Sequence, residues 1–454
     1  MSALEGLLAC PSSHGALAFV DGEWRSDTAK YPVRADLPCL YAAPEAALGE
    51  WRLRFQREVA LAKREAGDLR KHLASAGKRL PAASRERMAK VAEGRARYAQ
   101  EVAQVLGPFS QGPVDEAALQ ADLATLIALR TRLPPTQGVL TYTANIFRDW
   151  VWGEAENQAS LEAVRAVLPA ETHHRLVLGS GAGRLSYDLH QHLADGLTLA
   201  LDINPFLGRI GQLLSAGGEI VLHEFPLAPK GLADVAVAHR LKAPAAAHEG
   251  LHFLLGDVHR PPVLWGSMDL VLTPWVVDIV DEDFARQARR INRLLKPGGR
   301  WISFGSLSFS GAELATRYCL EEVMALVEEA GFATPEVVEH ELPYLRSPHS
   351  RHGRVEQVVV LAADKTRDAR ADADHVSLPD WITVGESPVP LSESFKLQAA
   401  STRIHAFLMS MIDGQRSIAD MAALMEAQKL MPQADAREAI RGFLIRMYEE
   451  SRQS

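Results

Sequence analysis

The chain of 454 residues contains only three cysteines, Cys10, Cys39 and Cys319. So small, odd and scattered a set supports neither a disulfide framework nor a four-thiolate zinc site. No uninterrupted apolar stretch reaches the roughly 18 residues that a membrane-spanning helix requires, so no membrane association is expected. The opening MSALEGLLACPSSHG has an apolar run but lacks a basic leader and a small-residue cleavage site; no signal peptide is read there, and the expected location is cytoplasmic. A surplus of positive charge is absent too. The formal net charge is −8, and because nucleic-acid affinity rests on Lys and Arg meeting phosphates, a nucleic-acid partner is not expected. The basic stretch LRKHLASAGKRL at 69–80 lies in a charge-mixed helical run and reads as a solvated helix face.

The length implies several domains. Residues 1–42 read as short strands punctuated by Asp21-Gly22 and Tyr31-Pro32. Residues 45–134 carry helical spacing broken at Pro81, Gly107-Pro108 and Gly112-Pro113. Over 135–364 the runs RLVLGSG, LTLALDI, LHFLLGD, MDLVLTPW, RWISFGS and VEQVVVLAA alternate with helical stretches, which predicts an α/β, doubly wound, mostly parallel sheet. Two strands in quick succession, around 334–345 and 355–363, predict a terminal antiparallel hairpin. Residues 365–377 are polar and aperiodic, a linker, and 378–454 form a last unit ending in two amphipathic helices.

The segment LVLGSGAGRLSYDLHQHL sends an apolar strand into a glycine-rich turn that opens a helix. Gly179, Gly181 and Gly183 let backbone approach a ligand, and the first helical turn offers unpaired N–H groups. The next strand ends in Asp202, placed to accept both hydroxyls of an adenosine ribose. The third glycine comes too early for the dinucleotide pattern, which disfavours a dinucleotide-dependent oxidoreductase. Pro297-Gly298-Gly299 stops a helix before a strong strand. With the terminal hairpin, these features point by fold-level analogy to S-adenosylmethionine methyltransferases.

The ordered motifs TANIFRDW, LVLGSGAGRLSYDL, LDINP, GDV, TPWVVDIVDE, INRLLKPGGRWISFGSLSF and ELPYL resemble the carnosine N-methyltransferase family over about 135–364. The resemblance implies a seven-stranded class I methyltransferase domain that uses S-adenosyl-L-methionine. It places Arg148, Asp149 and Trp150 on the cofactor, with the Arg148 guanidinium on the methionine carboxylate. Gly179, Gly181, Gly183 and Arg184 surround the methionine end, Asp202 and Asn204 the ribose, and Gly256-Asp257 the adenine, unless Asp257 instead caps the segment after its strand. Trp275, from the TPWVVDIVDE motif, belongs to the cofactor set as well.

Methyl transfer from a sulfonium is a direct in-line displacement that needs an aligned lone pair and exclusion of water, not a covalent enzyme residue. Cys319 is therefore read as core packing. Asp278 resembles the family's imidazole-gripping acid: a carboxylate accepting one ring N–H fixes the tautomer and leaves the other nitrogen nucleophilic. Asp281 and Asp283 read as helix N-caps, and Tyr344 resembles a substrate-contacting tyrosine or is a half-buried edge-strand tyrosine. Two departures count against carnosine itself: the family's histidine after the PGG strand is replaced near Ser310, and its second aromatic by SPHSRHGRVEQ. His349 and His352 there are either substrate contacts or solvent-exposed.

Residues 7–40 resemble a small zinc-ribbon family that includes methyltransferase activators, here with Ser13 in place of a metal-binding cysteine and the second pair lost, so no zinc is expected. The C-terminal unit, from WITVGESPVPL onward, resembles winged-helix modules of peptide-modifying enzymes. Either it takes a leader peptide or protein partner along a strand edge, or it packs generically. The reading is thus an N-methyltransferase acting on an imidazole- or histidine-containing small molecule or peptide. A non-catalytic scaffold or activator stands as the alternative from another class.

Overall fold

In a computed structural model, the described residues are 2–76, 79–111, 138–193, 195–280, 282–309, 316–369 and 393–453. They fall into two units, Met1–Ala371 and Asp372–Ser454. The first unit starts with an antiparallel meander: β1 (Ala18–Val20), β2 (Glu23–Arg25), β3 (Lys30–Arg34) and β4 (Leu37–Pro38). Asp21 and Gly22 both take positive φ, 53° and 83°, as a two-residue hairpin turn requires. Trp24 and Tyr31 are fully buried in it. The meander is bonded into the unit through its backbone, Leu40 N–H donating to Leu255 O at 2.7 Å and Ala9 N–H to Pro262 O at 3.0 Å.

Two long helices follow, α1 (Pro44–Ala76) and α2 (Ala82–Val105), then the single turn α3 (Gly107–Ser110). Pro81 stands at the α2 N-cap, where its missing N–H costs no helical bond. Trp51 and Phe55 of α1 share one apolar cluster with Tyr98 and Val102 of α2. The basic stretch over 69–75 is largely exposed near the end of α1. No helix among the described residues is long and apolar enough to cross a membrane.

Helix α4 (Thr143–Phe147) runs straight into a π-turn, Arg148–Trp152, before α5 (Glu154–Arg165). Then come β5 (His174–Leu178), α6 (Arg184–Leu193), β6 (Leu197–Asp202), α7 (Pro205–Ser215), β7 (Glu219–Glu224), β8 (Val237–Lys242), β9 (Leu251–Leu255) and β10 (Met268–Pro274). The unit closes with α8 (Phe284–Leu294), β11 (Leu295–Gly305), α9 (Leu320–Glu329), β12 (Glu336–Tyr344) and β13 (Arg354–Asp364). The main sheet has seven strands in the order β12-β13-β11-β10-β5-β6-β9. Neighbours from β11 to β9 are parallel, whereas β13 pairs antiparallel with both β11 and β12. This mixed sheet with its terminal hairpin is consistent with a class I methyltransferase fold.

The central strands HRLVL and LTLALD are almost wholly buried because helices cover both sheet faces, which is why they read as continuous apolar runs. Chain order reverses between β5 and β10, and that switch point opens a crevice at the carboxyl ends of the strands. The hairpin β7–β8 was not anticipated. It pairs only with itself, by the register Glu219↔Lys242 to Glu224↔Val237, so its two short alternating segments lack the buried pattern of the main sheet.

In the second unit, α10 (Glu393–Ser410), α11 (Ile418–Ala427) and α12 (Gln433–Gln453) enclose Leu408, Met421, Met425 and Ile440. Ser417 caps α11 by accepting from Asp420 N–H at 3.2 Å. The strand-rich start expected at 381–391 lies outside the described residues.

Candidate functional site

A cavity of about 450 Å³ opens at the switch point. Its floor is the turn after β5. Gly179 and Gly181 take φ of 70° and 57°, conformations that favour glycine. A Cβ on Gly179 would stand 2.8 Å from Val276, whereas one on Gly181 would meet nothing within 4 Å and would project into open space on the cavity wall.

Asp202, the last residue of β6, lies beside this turn. Its Oδ2 accepts from Gly181 N–H and its Oδ1 from Asn204 N–H, each at 2.8 Å. Each oxygen therefore keeps acceptor capacity toward the cavity that both Asp202 and Gly181 line. Burial pushes the Asp202 carboxyl up to about 6, against the pull of those backbone donors. A raised value means that the free protein holds the proton more tightly than the unfolded chain. The stabilisation from Asp202 is thus complete below the ordinary carboxylate range and disappears as pH rises through about 6. A ligand that donates hydroxyls to the carboxylate reverses that preference.

Arg148 reaches the same cavity from the π-turn, its Nε and Nη2 held by Asp149 Oδ1 at 2.8 and 2.6 Å. Burial opposes the charge, but Asp149 and Tyr344 beside it keep the guanidinium above its ordinary value. At the far side of the turn, Asp257 Oδ1 accepts from both the backbone and the Nδ1 of His259, at 2.9 and 2.7 Å. Burial alone would raise Asp257, but the side-chain bond from His259, its charge and its backbone N–H together bring the carboxyl below its ordinary value, while the same side-chain bond raises His259. Asp257 thus makes the local turn read as its alternative and also lines the cavity.

The other end is assembled from loops. Trp275, directly after β10, holds φ of 53°, an uncommon conformation for a bulky residue, and packs 4.8 Å from the Tyr344 ring. Asp278 Oδ2 accepts from Ser306 Oγ at 3.0 Å and Ser308 N–H at 2.7 Å. Among the described residues no donor reaches its Oδ1. Tyr344 lies under the guanidinium groups of Arg148, 5.5 Å from the ring centre, and Arg354, at 4.6 Å, and its hydroxyl receives Asn145 Nδ2 at 3.4 Å.

The structure therefore brings Arg148, Gly179, Gly181, Asp202, Asp257, Trp275, Asp278 and Tyr344 around one cavity. Four residues expected on the cofactor stand behind its wall. Trp150 donates from Nε1 to Ala182 O at 3.0 Å and packs on Tyr187, bracing the turn from outside. Gly183 lies against Phe253, whose ring would be 2.4 Å from an added Cβ, so it serves close packing of helix on strand. Arg184 does not itself line the cavity: it is engaged by Asp188 at 2.8 Å, Glu154 at 2.9 Å and Asp149 O at 2.9 Å, and of these Asp188 and Asp149 do line it. Asn204 is the N-cap of α7, accepting from Phe206 N–H at 2.9 Å and donating to Val139 O at 3.1 Å.

Cys319 is another correction: it is exposed at the start of α9, not packed in the core, because the helix begins only at Leu320. Asp283 does cap α8, accepting from Ala285 N–H at 3.0 Å, whereas Asp281 and Ser310 lie outside the described residues. His349 pairs with Asp234 at 2.8 Å, and neither it nor His352 lines the cavity. Asn145, Asp188, His259, Ser306 and Arg354 line it without having been singled out. Ser306 lay within the quoted FGSLSF motif and His259 two residues past Asp257. Asn145 lay within the TANIFRDW motif, although its contact with Tyr344, 199 residues away, has no local signal.

A family model described as "Methyltransferase domain" matches residues 230–303, from the β7–β8 connection into β11. No curated protein matches the chain. Similar solved structures include a Thermotoga maritima S-adenosylmethionine-dependent methyltransferase described as a possible histamine N-methyltransferase, 18% identical over 50% of this chain and 98% of that one, with a TM-score of 0.32. A Haemonchus contortus phosphoethanolamine N-methyltransferase 2 in complex with S-adenosyl-L-methionine is 14% identical over 54% of this chain and 60% of that one, TM-score 0.33. The complex of the Haloferax volcanii Trm112 methyltransferase activator with a protein described as a methyltransferase is 16% identical over 51% and 96%, TM-score 0.34. These likenesses are too distant to bear on activity or substrate. The methyltransferase-domain match supports S-adenosylmethionine as the cofactor, and a glycine turn open to the cavity beside an acid with acceptor capacity fits it.

Proposed function

We propose that the chain is an S-adenosylmethionine-dependent methyltransferase that methylates a nitrogen of an imidazole- or histidine-containing small molecule or peptide. The observation that carries this reading is the pairing, in one cavity, of Asp202 at the glycine turn with Asp278, whose Oδ1 faces no described donor. The motifs resembling carnosine N-methyltransferases supply the nitrogen acceptor.

Asp202 would accept the ribose hydroxyls, Gly181 would leave room for the ligand to touch backbone, and Arg148 would attract the cofactor carboxylate. S-adenosylmethionine, when bound, supplies an electrophilic methyl group. Ser306 and Ser308 fix Asp278 through one oxygen, leaving the other to accept an acceptor N–H. That bond orients the ring and stabilises the positive charge that develops on it as the second nitrogen is alkylated, and the proton at Asp278 Oδ1 then passes to solvent. Trp275, Val276, Ile279 and Tyr344 exclude water around the acceptor.

Tritium transfer from methyl-labelled S-adenosylmethionine to a panel of imidazoles and histidine-containing peptides tests the reading. Label should enter at least one imidazole acceptor and at background level only when Asp278 is replaced by Ala. Binding of the cofactor without transfer to any panel member would favour the non-catalytic alternative.

A further inference from the structure

Outside the cavity the most densely bonded buried acid is Glu224, the last residue of β7 and only 6% exposed. Its Oε2 accepts from Trp152 Nε1 at 3.3 Å and lies 2.7 Å from His239 Nε2, and its Oε1 accepts from Ser347 Oγ at 2.8 Å. Every one of these partners is a side chain, and the three come from separate segments. Trp152 closes the π-turn that carries Arg148, and the same turn places Trp150 on Ala182 of the glycine turn. Ser347 stands three residues beyond Tyr344, in the loop between β12 and β13. Glu224 itself sits on the unanticipated β7–β8 hairpin, which α2 holds through Glu101 and His223 Nδ1 at 2.8 Å.

The loop after Ser347 continues this attachment along the β7–β8 connection. Lys230 N–H donates to His349 O at 3.0 Å, Arg351 N–H to Ala228 O at 2.9 Å, and His349 Nδ1 lies 2.8 Å from Asp234. A second carboxylate, Glu156, holds the first part of the loop differently, by accepting Leu345 and Arg346 N–H at 3.2 Å each from a regular helix. Among the described residues only Glu224 joins the loop beyond 346 to the cofactor-side π-turn through one group.

We infer that Glu224 is a positioning residue that couples the cofactor end of the cavity to the loop 347–352, which joins the cavity-lining residues Tyr344 and Arg354, so that a ligand settled against Arg148 and the glycine turn also orders that loop. The inference rests on the proposed cofactor site. Ligand contact with Arg148 steadies the π-turn, Trp152 then holds the Glu224 carboxylate in place, and the carboxylate holds Ser347. A gain in order at one end lowers the ordering cost at the other, which makes acceptor binding tighter once the cofactor is in place.

Amide hydrogen exchange of the full chain, with and without S-adenosylhomocysteine, tests this on wild type, Glu224→Gln and Ser347→Ala. Ser347→Ala removes the bond to Glu224 and the one that Ser347 Oγ accepts from His349 N–H at 3.3 Å, and keeps the fold testable should Glu224→Gln fold poorly. The expected result is that the ligand slows exchange at 179–184 in all three proteins by similar factors. At 347–352 it slows exchange severalfold in wild type and not in either variant. A purely structural Glu224 would lower the melting temperature yet leave the ligand response of 347–352 intact in the variants, and that result overturns the inference. No slowing at 179–184 in wild type would overturn the cofactor reading itself, and the coupling with it.

Discussion

The two ends of the cavity are built by opposite means. The cofactor end is backbone: a turn of positive-φ glycines after β5 and the carboxylate of Asp202, set by two backbone N–H donors from neighbouring segments. The acceptor end is side chain: Asp278, Ser306, Tyr344, Arg354 and Asn145 come from five segments and meet only after the sheet has formed. A site of the first kind depends on its backbone path and on one carboxylate, Asp202, that the path fixes. One of the second kind is retuned by single substitutions, and acceptor choice is therefore expected to vary on this scaffold while cofactor use does not.

The sharpest way to break that division is at Asp278. Asp278→Ala should lower methyl transfer by roughly 10²-fold or more, the scale of losing a positioned acid or base. S-adenosylmethionine affinity, read by calorimetry, should stay within about twofold of wild type, because the carboxylate belongs to the acceptor end alone. A parallel loss of cofactor affinity would merge the two ends into one.

The two glycines sharpen the contrast. Gly181→Val places a branched side chain in the open space of the cavity wall and forces it into positive φ, so cofactor affinity should fall by at least about tenfold. Gly183→Ala drives a Cβ to within 2.4 Å of Phe253 and should act on stability instead, at about 1–3 kcal/mol, read as a drop of several degrees in melting temperature. Reversed phenotypes would put the ligand on the wrong side of the turn. The smallest effect belongs to Trp150→Phe, which deletes one hydrogen bond to Ala182 O; cofactor affinity should weaken by about fivefold, in keeping with roughly 1 kcal/mol for such a bond.

The same division explains what the sequence makes legible. Gly179, Gly181 and Asp202 lie on consecutive strand ends, and their chemistry is visible within about two dozen residues of chain because parallel strands with short helical crossovers repeat at that spacing. Arg184 and Asn204 sit in the same motifs yet face away. Linear spacing places them near the ligand, but only the helix geometry shows that Arg184 turns toward Glu154 and Asp188 and that Asn204 is consumed as a cap. The pairing of Asn145 with Tyr344, the guanidinium of Arg354 over that ring, and the Glu224 junction all depend on contacts between distant segments. None of these contacts can be read from periodicity, although Asn145 and Tyr344 each lie within a motif, TANIFRDW and ELPYL. Cys319 illustrates a boundary effect: a helix expected to include it starts one residue later, and that leaves the thiol in solvent.

On the proposed reading, one desolvated carboxylate on β6, Asp202, receives the cofactor sugar. Calorimetric titration of S-adenosylmethionine into wild type and Asp202→Asn, from about pH 5 to about pH 8, tests it directly. Wild-type affinity should hold steady above pH 6 and fall by up to about tenfold per unit below it, as Asp202 takes up its proton. The variant should bind about 10²-fold more weakly at neutral pH, with no inflection near 6. Equal affinities with the same pH profile in the two proteins would contradict the account.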